Sequence, residues 1–282
     1  MALDQLGIEG PEKGKPEEKE MSFFDHLEEL RWHIMRSVLV IVAFGLVLFL
    51  SKDFVFNEVI FGPRHPDFVT YRVICSFSNA IGLGDNLCFY PKEFSLITPD
   101  MGELFLTHMK VSFLLGFVLA FPFVFWEFWR FIKPGLYENE QRVTRYAVFI
   151  CSMLFTVGVM FGYFVVSPFA VSFLTGYELP GVESTPALGS YISYMVMFTL
   201  PTGLIFELPV VAYVLTRIGI LSSEFLRQYR RHAIVILMVI AAIITPPDAF
   251  SQILIAVPLL SLYEISILVA KRVERQLAAE EE

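Results

Sequence analysis

Four stretches of this chain, at about 34 to 53, 110 to 132, 146 to 167 and 190 to 215, stay apolar long enough to cross a membrane. Roughly 30 Å of hydrocarbon takes about 20 helical residues at about 1.5 Å each. Hydrocarbon leaves backbone N–H and C=O groups without partners, so only helices and closed barrels span it, and apolar runs of this length select helices. The tail adds two shorter runs, Ala233 to Thr245 and Gln252 to Ala270, parted by Pro246, Pro247 and Asp248. The pattern predicts an all-α polytopic membrane protein with six transmembrane helices, the last two short. At about 1.5 Å per residue the fifth reaches only about 20 Å. A helix that short thins the bilayer beside it or packs inside protein.

Orientation follows from Lys and Arg in the short loops, which favour the cytoplasm. Pro168 to Leu188 and Pro246 to Ser251 carry neither. The connection between the second and third runs holds Arg130, Lys133, Arg142 and Arg145, the next holds Arg217, Arg227, Arg230 and Arg231, and Lys271, Arg272 and Arg275 follow the last run. Both termini are then cytoplasmic. The expected organisation is a disordered cytoplasmic tail over 1–20, rich in Pro, Glu, Lys and Gly, and a single six-helix domain over 21–272 with a long external loop over 54–109. A cytoplasmic tail over 273–282 ends the chain. Only 18% of residues are charged, against about a quarter in soluble domains. The net charge of -8 owes much to the tails, which leaves no basic footprint for nucleic acid.

Acidic residues mark the places where function is readable. Glu207 lies inside the fourth run, where a charge costs about 2.5–3.5 kcal/mol on insertion scales. Intramembrane carboxylates point to function by default. The plain alternative is a carboxyl hydrogen-bonded within the bundle, since Pro201, Gly203 and Pro209 free nearby backbone groups. Two further glutamates, Glu29 and Glu140, flank other runs on the cytoplasmic side. Ser22 followed by Asp25 has the form of a capping box, and Phe23, Leu27, Leu30 and Ile34 recur at helical spacing. Together these predict an amphipathic lead-in helix over 22–33 that presents Glu29. Pro134-Gly135 ends the second run and holds Glu140 in a short connection. By spacing alone, Glu29 and Glu140 read as solvated carboxylates in weak pairs with Arg31 or Arg142.

Other features carry less. The aromatic stretch Phe121 to Trp129 reads as an interfacial belt, with Glu127 long enough to snorkel to the cytoplasmic interface. Cys151 reads as a small core residue. Cys75 and Cys88 share the external loop, where an oxidising compartment allows a bridge, although two thiols in one loop need not meet. The five histidines show no metal-ligand spacing, and neither a phosphate-cradling glycine loop with its lysine nor a nucleophile elbow is present. No catalytic residue, metal or cofactor is therefore assigned, and an enzyme is not expected.

Several segments, in order, resemble the TatC family: HLEELR (His26 to Arg31), FIKPGLYENE (Phe131 to Glu140), FGYFVVSPFAVSFL (Phe161 to Leu174), FELPV (Phe206 to Val210) and TPPDAFSQ (Thr245 to Gln252) followed by AVPLLSLYEIS (Ala256 to Ser266). TatC is the six-helix receptor of the twin-arginine protein translocase. The resemblance implies a protein of the bacterial cytoplasmic (inner) membrane that binds twin-arginine signal peptides of folded precursors. It also implies that single-span TatB-like and TatA-like partners are recruited in an oligomeric complex driven by the proton-motive force. Carried over by motif, Glu29, Glu140, Arg31 and Phe131 fall at signal-peptide positions, and Glu207, Thr245 and Gln252 at positions where partner helices dock. The external loop is longer than the family pattern. The competing class is a proton-coupled secondary transporter of a small solute using Glu207. Such proteins often carry repeated halves, and no repeat is evident here.

Overall fold

The computed structural model describes residues 23–82, 84–132, 141–181, 185–246 and 249–281. Helix α1 (Phe23–Leu50) is one rod. Neither proline nor glycine occurs between Phe23 and Phe44, so nothing separates the expected lead-in helix from the first span. Of its apolar stripe, Leu27 and Ile34 are exposed and Leu30 is half-buried. The buried face is His33, Ile41 and Gly45. In lipid the greasiest stripe has no need of a protein partner, whereas polar and small residues do.

The segment after α1 is an ordered cap rather than an open loop. It contains α2 (Lys52–Phe54), a π turn over Val55–Ile60 and α3 (Val69–Ala80). Cys75 and Cys88 are bridged, with Cα atoms 4.6 Å apart. Helix α4 (Glu103–Ile132) starts seven residues before its apolar run, because the Glu103 carboxylate accepts a 2.7 Å hydrogen bond from the Gly189 N–H and fixes the first turn in place.

Helix α5 (Gln141–Phe161) passes through a π turn at Gly162–Val166 into α6 (Ser167–Gly176). The third span therefore runs through Pro168, where the sequence suggested a loop. A proline removes the bond to the carbonyl four residues back and crowds it, and the wide turn gives room. That carbonyl, on Phe164, accepts a hydrogen bond from the Thr70 hydroxyl of the cap. The fourth span breaks in two: α7 (Leu188–Ile205) ends just before Phe206 and Glu207, and α8 (Leu208–Arg217) restarts with Pro209 in its first turn.

The last part holds α9 (Ser223–Gln228), α10 (Arg230–Ile244) and α11 (Ala249–Glu281). The helix expected as the fifth span is short: fifteen residues in α10 reach about 22 Å. The sixth is not. Its 33 residues reach about 50 Å, because KRVERQLAAE continues in strong helix formers beyond the apolar run. Among the described residues, five helical stretches are long and apolar enough to cross a membrane: Leu27–Leu50, Glu103–Phe131, Val148–Gly176, Leu188–Arg217 and Ser251–Ala279. Among the described residues there is no β-strand, only an isolated bridge between Ile97 and Ala187.

Small-residue crossings knit the bundle. A Cβ on Gly116 would stand 2.7 Å from the Gly45 backbone nitrogen and 2.9 Å from the Ile41 carbonyl, so α1 and α4 touch backbone to backbone. A Cβ on Gly158 would lie 2.8 Å from Gly203 Cα, which makes the same kind of contact between α5 and α7. Trp129, Val148 and Val214 cluster where α4 ends, α5 begins and α8 ends. This defines a basic end of the bundle, flanked by Arg130 and Arg217, opposite the cap.

Candidate functional site

At the basic end, α1 and α4 bring together part of the sequence-predicted site. Glu29 and Arg31 are exposed on the first turns of α1, and Phe131 is half-buried at the end of α4. Glu140 and most of its connection lie outside the described residues. Phe131 meets His33 edge to face, with ring centres 6.1 Å apart. His33 is the next residue of the Glu29 stripe, four positions on, and thus one turn away on the same face.

Glu127 does not snorkel. It is 4% exposed, and its Oε2 lies 2.5 Å from His33 Nδ1, with the half-exposed Arg36 guanidinium 3.8 Å away. Burying an ionisable pair in a seam is costly unless each member holds the other, so this pairing is a designed feature of the α1–α4 contact. Sequence reasoning missed it because a polar residue inside an aromatic run reads as interfacial. The recoverable signal was spacing: His33 follows Glu29 by four, and Glu127 precedes Phe131 by four. The aromatic stretch also divides. Phe123, Trp126 and Phe128 face outward, while Trp129 is buried and Phe121 stacks on Phe155 at 3.5 Å.

Glu207 occupies the break between α7 and α8, 8% exposed. The Cys151 thiol donates to its Oε2 at 2.7 Å, so Cys151 is a core residue with a polar task as well. The other oxygen, Oε1, is buried without a hydrogen-bond partner among the described residues. Thr245 and Gln252 sit on the neighbouring α10–α11 hairpin: the Thr245 hydroxyl donates to the Ala241 carbonyl of its own helix at 2.9 Å, and Gln252 Nε2 reaches the Met238 carbonyl at 3.4 Å. Among the described residues no hydrogen bond joins either of them to Glu207.

On the cap side, Phe94, Tyr191, Tyr194, Val171 and Leu174 line an open cavity of about 1380 Å³, with a Lys92–Glu178 ion pair beside it. Tyr71 ties the cap to the third span: its hydroxyl donates to the Pro63 carbonyl at 2.8 Å, with the Pro168 carbonyl at 3.3 Å. Burial pushes the Tyr71 phenol up to about 12, against a smaller opposing effect of the Ser172 hydroxyl. Among the described residues, the one grouping of metal-ligand atoms is Cys75, Asp85 and Cys88, and its two sulfurs are committed to the bridge.

The family described as Sec-independent protein translocase protein (TatC) matches residues 25–258. A Sec-independent protein translocase protein TatC from Blattabacterium sp. subsp. Periplaneta americana is 35% identical over 267 residues, covering 93% of this chain and 99% of that protein. The corresponding protein of Desulforapulum autotrophicum is 36% identical over 266 residues, covering 94% and 90%. Among solved structures, the crystal structure of twin arginine translocase receptor TatC in DDM superposes with a TM-score of 0.67 at 33% identity, covering 87% of this chain and 99% of that one.

Proposed function

The chain belongs to the TatC family of Sec-independent protein translocase proteins, and on that premise we propose that it is the membrane receptor of its translocase, binding the twin-arginine signal peptides of folded precursors. The observation that carries the reading is the exposed Glu29 carboxylate on the turn beside His33 and Phe131 at the basic end. Glu29 and Glu140 would receive the two guanidinium groups, with Arg31 and Phe131 shaping the notch. Arginine can engage a carboxylate through two parallel N–H bonds, which the single ammonium of lysine cannot reproduce. At about 1.5–3 kcal/mol per charged hydrogen bond, a few such contacts give roughly micromolar affinity, which suits a receptor that must release its cargo.

The rest of the assignment follows the same premise. The protein sits in the bacterial cytoplasmic membrane with six spans and both termini cytoplasmic, so the basic end faces the cytoplasm. TatB-like and TatA-like single-span partners dock near Glu207, Thr245 and Gln252, through hydrogen bonds worth about 0.6–2 kcal/mol in membranes. The short α10 thins the bilayer beside it and eases passage of folded cargo, with the proton-motive force as the energy source. The chain performs no covalent chemistry in this scheme.

Photo-crosslinking of a twin-arginine signal peptide, against a Lys-Lys control, tests the reading in membranes carrying wild type, Glu29→Ala or Glu140→Ala. An Arg-specific product lost in either variant supports it. Equal labelling throughout would remove the acidic notch and favour a solute transporter built on Glu207.

A further inference from the structure

The described structure leaves one buried ionisable pair without a task in this scheme, and its position gives it one. We propose that Glu127 is a positioning residue for the signal-peptide site: by holding His33 it fixes the rotation and register of α1 against α4, and so the place of Glu29 relative to Phe131. The inference rests on the receptor reading above.

Helices α1 and α4 are antiparallel and pinned at two levels. One is the Gly45–Gly116 crossing, where backbones touch. The other is the His33–Glu127 bond. Twelve residues separate the pins on α1 and eleven on α4, or about 18 Å and about 17 Å at about 1.5 Å per residue. The spacings match, so both pins close together.

The glycine crossing fixes the seam at one level, but a single close contact leaves the far end of α1 free to pivot and twist about it. A bond between one donor and one acceptor does not. A slip of one residue shifts a helix by about 1.5 Å and turns it by about 100°, which would separate Nδ1 from Oε2 and leave a carboxylate unpaired in an apolar seam. That penalty selects a single register, as a lone polar residue does in a coiled coil.

The pair is also placed where register matters. Glu29 lies one turn beyond His33 on α1, and Phe131 one turn beyond Glu127 on α4. The imidazole touches both the Glu127 carboxylate and the Phe131 ring. A rotation of α1 about its axis would swing Glu29 away from Phe131. Arg36, at 3.8 Å and half-exposed, balances the carboxylate from the rim without defining its geometry.

The test combines a distance with a binding readout in the full chain. Spin labels go on exposed positions 28 and 128, through Glu28→Cys and Phe128→Cys, with the Cys75–Cys88 bridge left oxidised and Cys151 fully buried. These are combined with wild type, Glu127→Gln, Glu127→Leu and the double variant His33→Leu/Glu127→Leu. The carboxamide still accepts from the imidazole N–H, so Glu127→Gln should keep a narrow distance distribution and the Arg-over-Lys crosslinking preference. Glu127→Leu leaves His33 unpaired, and its failure to accumulate would not by itself test the inference. The double variant removes both polar groups and should accumulate normally. It should nevertheless show a broadened distribution and about tenfold less Arg-specific crosslink, as expected if a tenth of molecules hold the site in register. A narrow distribution with wild-type crosslinking in the double variant would overturn the inference. Absence of any Arg-over-Lys preference in wild type would instead sink the receptor reading, while the distances would still decide whether the pair sets the register.

Discussion

Glu127 and Glu207 are both less than a tenth exposed, and both sit within helical stretches long and apolar enough to span a membrane, yet they are held in opposite ways. Glu127 lies on an unbroken stretch of α4 and meets a histidine and an arginine from α1, the histidine at hydrogen-bond distance. Glu207 lies where the helix is broken, accepts from the thiol of Cys151 through one oxygen, and keeps the other oxygen buried without a hydrogen-bond partner among the described residues. A satisfied buried carboxylate fixes geometry, because any movement costs a strong bond. An unsatisfied one invites a donor from elsewhere, because the penalty of desolvation is already present and a newcomer relieves it. On the roles proposed above, the same side chain is a latch in one seam and an open socket in another.

The largest effect expected from breaking this contrast is at the crossings beneath each glutamate. Gly116→Ala puts a Cβ against backbone atoms of Ile41 and Gly45 at 2.7–2.9 Å, which cannot move aside. Gly203→Ala meets the Val159 methyl at 2.7 Å and the edge of the Phe155 ring at 3.0 Å, which can. Overpacking typically costs about 1–3 kcal/mol. Thermal unfolding in detergent should show Gly116→Ala at the upper end of that range or beyond it and Gly203→Ala at the lower end. Equal losses would mean that the α1–α4 seam is no stiffer than the bundle around Glu207.

Next in size is the socket itself. Cys151→Ala removes the donor to Glu207 Oε2 and should cost about 1–3 kcal/mol, the penalty of a buried group left unmet. Cys151→Ser keeps a donor at the same position and should recover most of the loss. If Cys151→Ala were as stable as Cys151→Ser, the thiol would be a spacer, and Glu207 would be satisfied by something other than its neighbour.

How far the sequence reached these sites differs for physical reasons. Apolar run length placed one end of each expected helix to within a turn or so, because hydrophobic thickness dictates it. It misjudged the third and sixth, where a proline was absorbed by a π turn and helix formers ran past the lipid boundary. Glu207 was legible because a charge in an apolar run is anomalous in one dimension. The His33–Glu127 bond was not, since it joins residues 94 positions apart and each reads as ordinary beside an interface. Likewise the apolar stripe of α1 predicted a separate amphipathic lead-in helix, whereas residues 23–50 form one continuous helix with Leu27 and Ile34 exposed.

A smaller effect is expected at the cap. Tyr71→Phe loses the hydrogen bonds to Pro63 and Pro168 and should lower stability by about 1 kcal/mol. It should also flatten the alkaline limb. With its phenol raised from 10 to about 12 in the folded chain, Tyr71 stays neutral there while the unfolded chain ionises. Stability is therefore unaffected below about pH 10 and falls between about pH 10 and 12. Melting followed across that window should be less pH-dependent in Tyr71→Phe than in wild type.

The smallest effect separates the socket from its neighbours. Thr245 and Gln252 carry the same expectation of partner docking as Glu207, but the Thr245 hydroxyl already donates within its own helix, to Ala241. A buried hydroxyl with a local acceptor has no proton left to offer, although its lone pairs can still accept one bond. Thr245→Val keeps the shape and removes that single bond, so stability should change by less than about 1 kcal/mol. Co-purification of single-span partners should then fall markedly for Glu207→Ala and stay close to wild type for Thr245→Val. If Thr245→Val released the partners as fully as Glu207→Ala, docking would depend on an acceptor on α10. The open oxygen at the α7–α8 break would then be a feature of the bundle rather than of its partners.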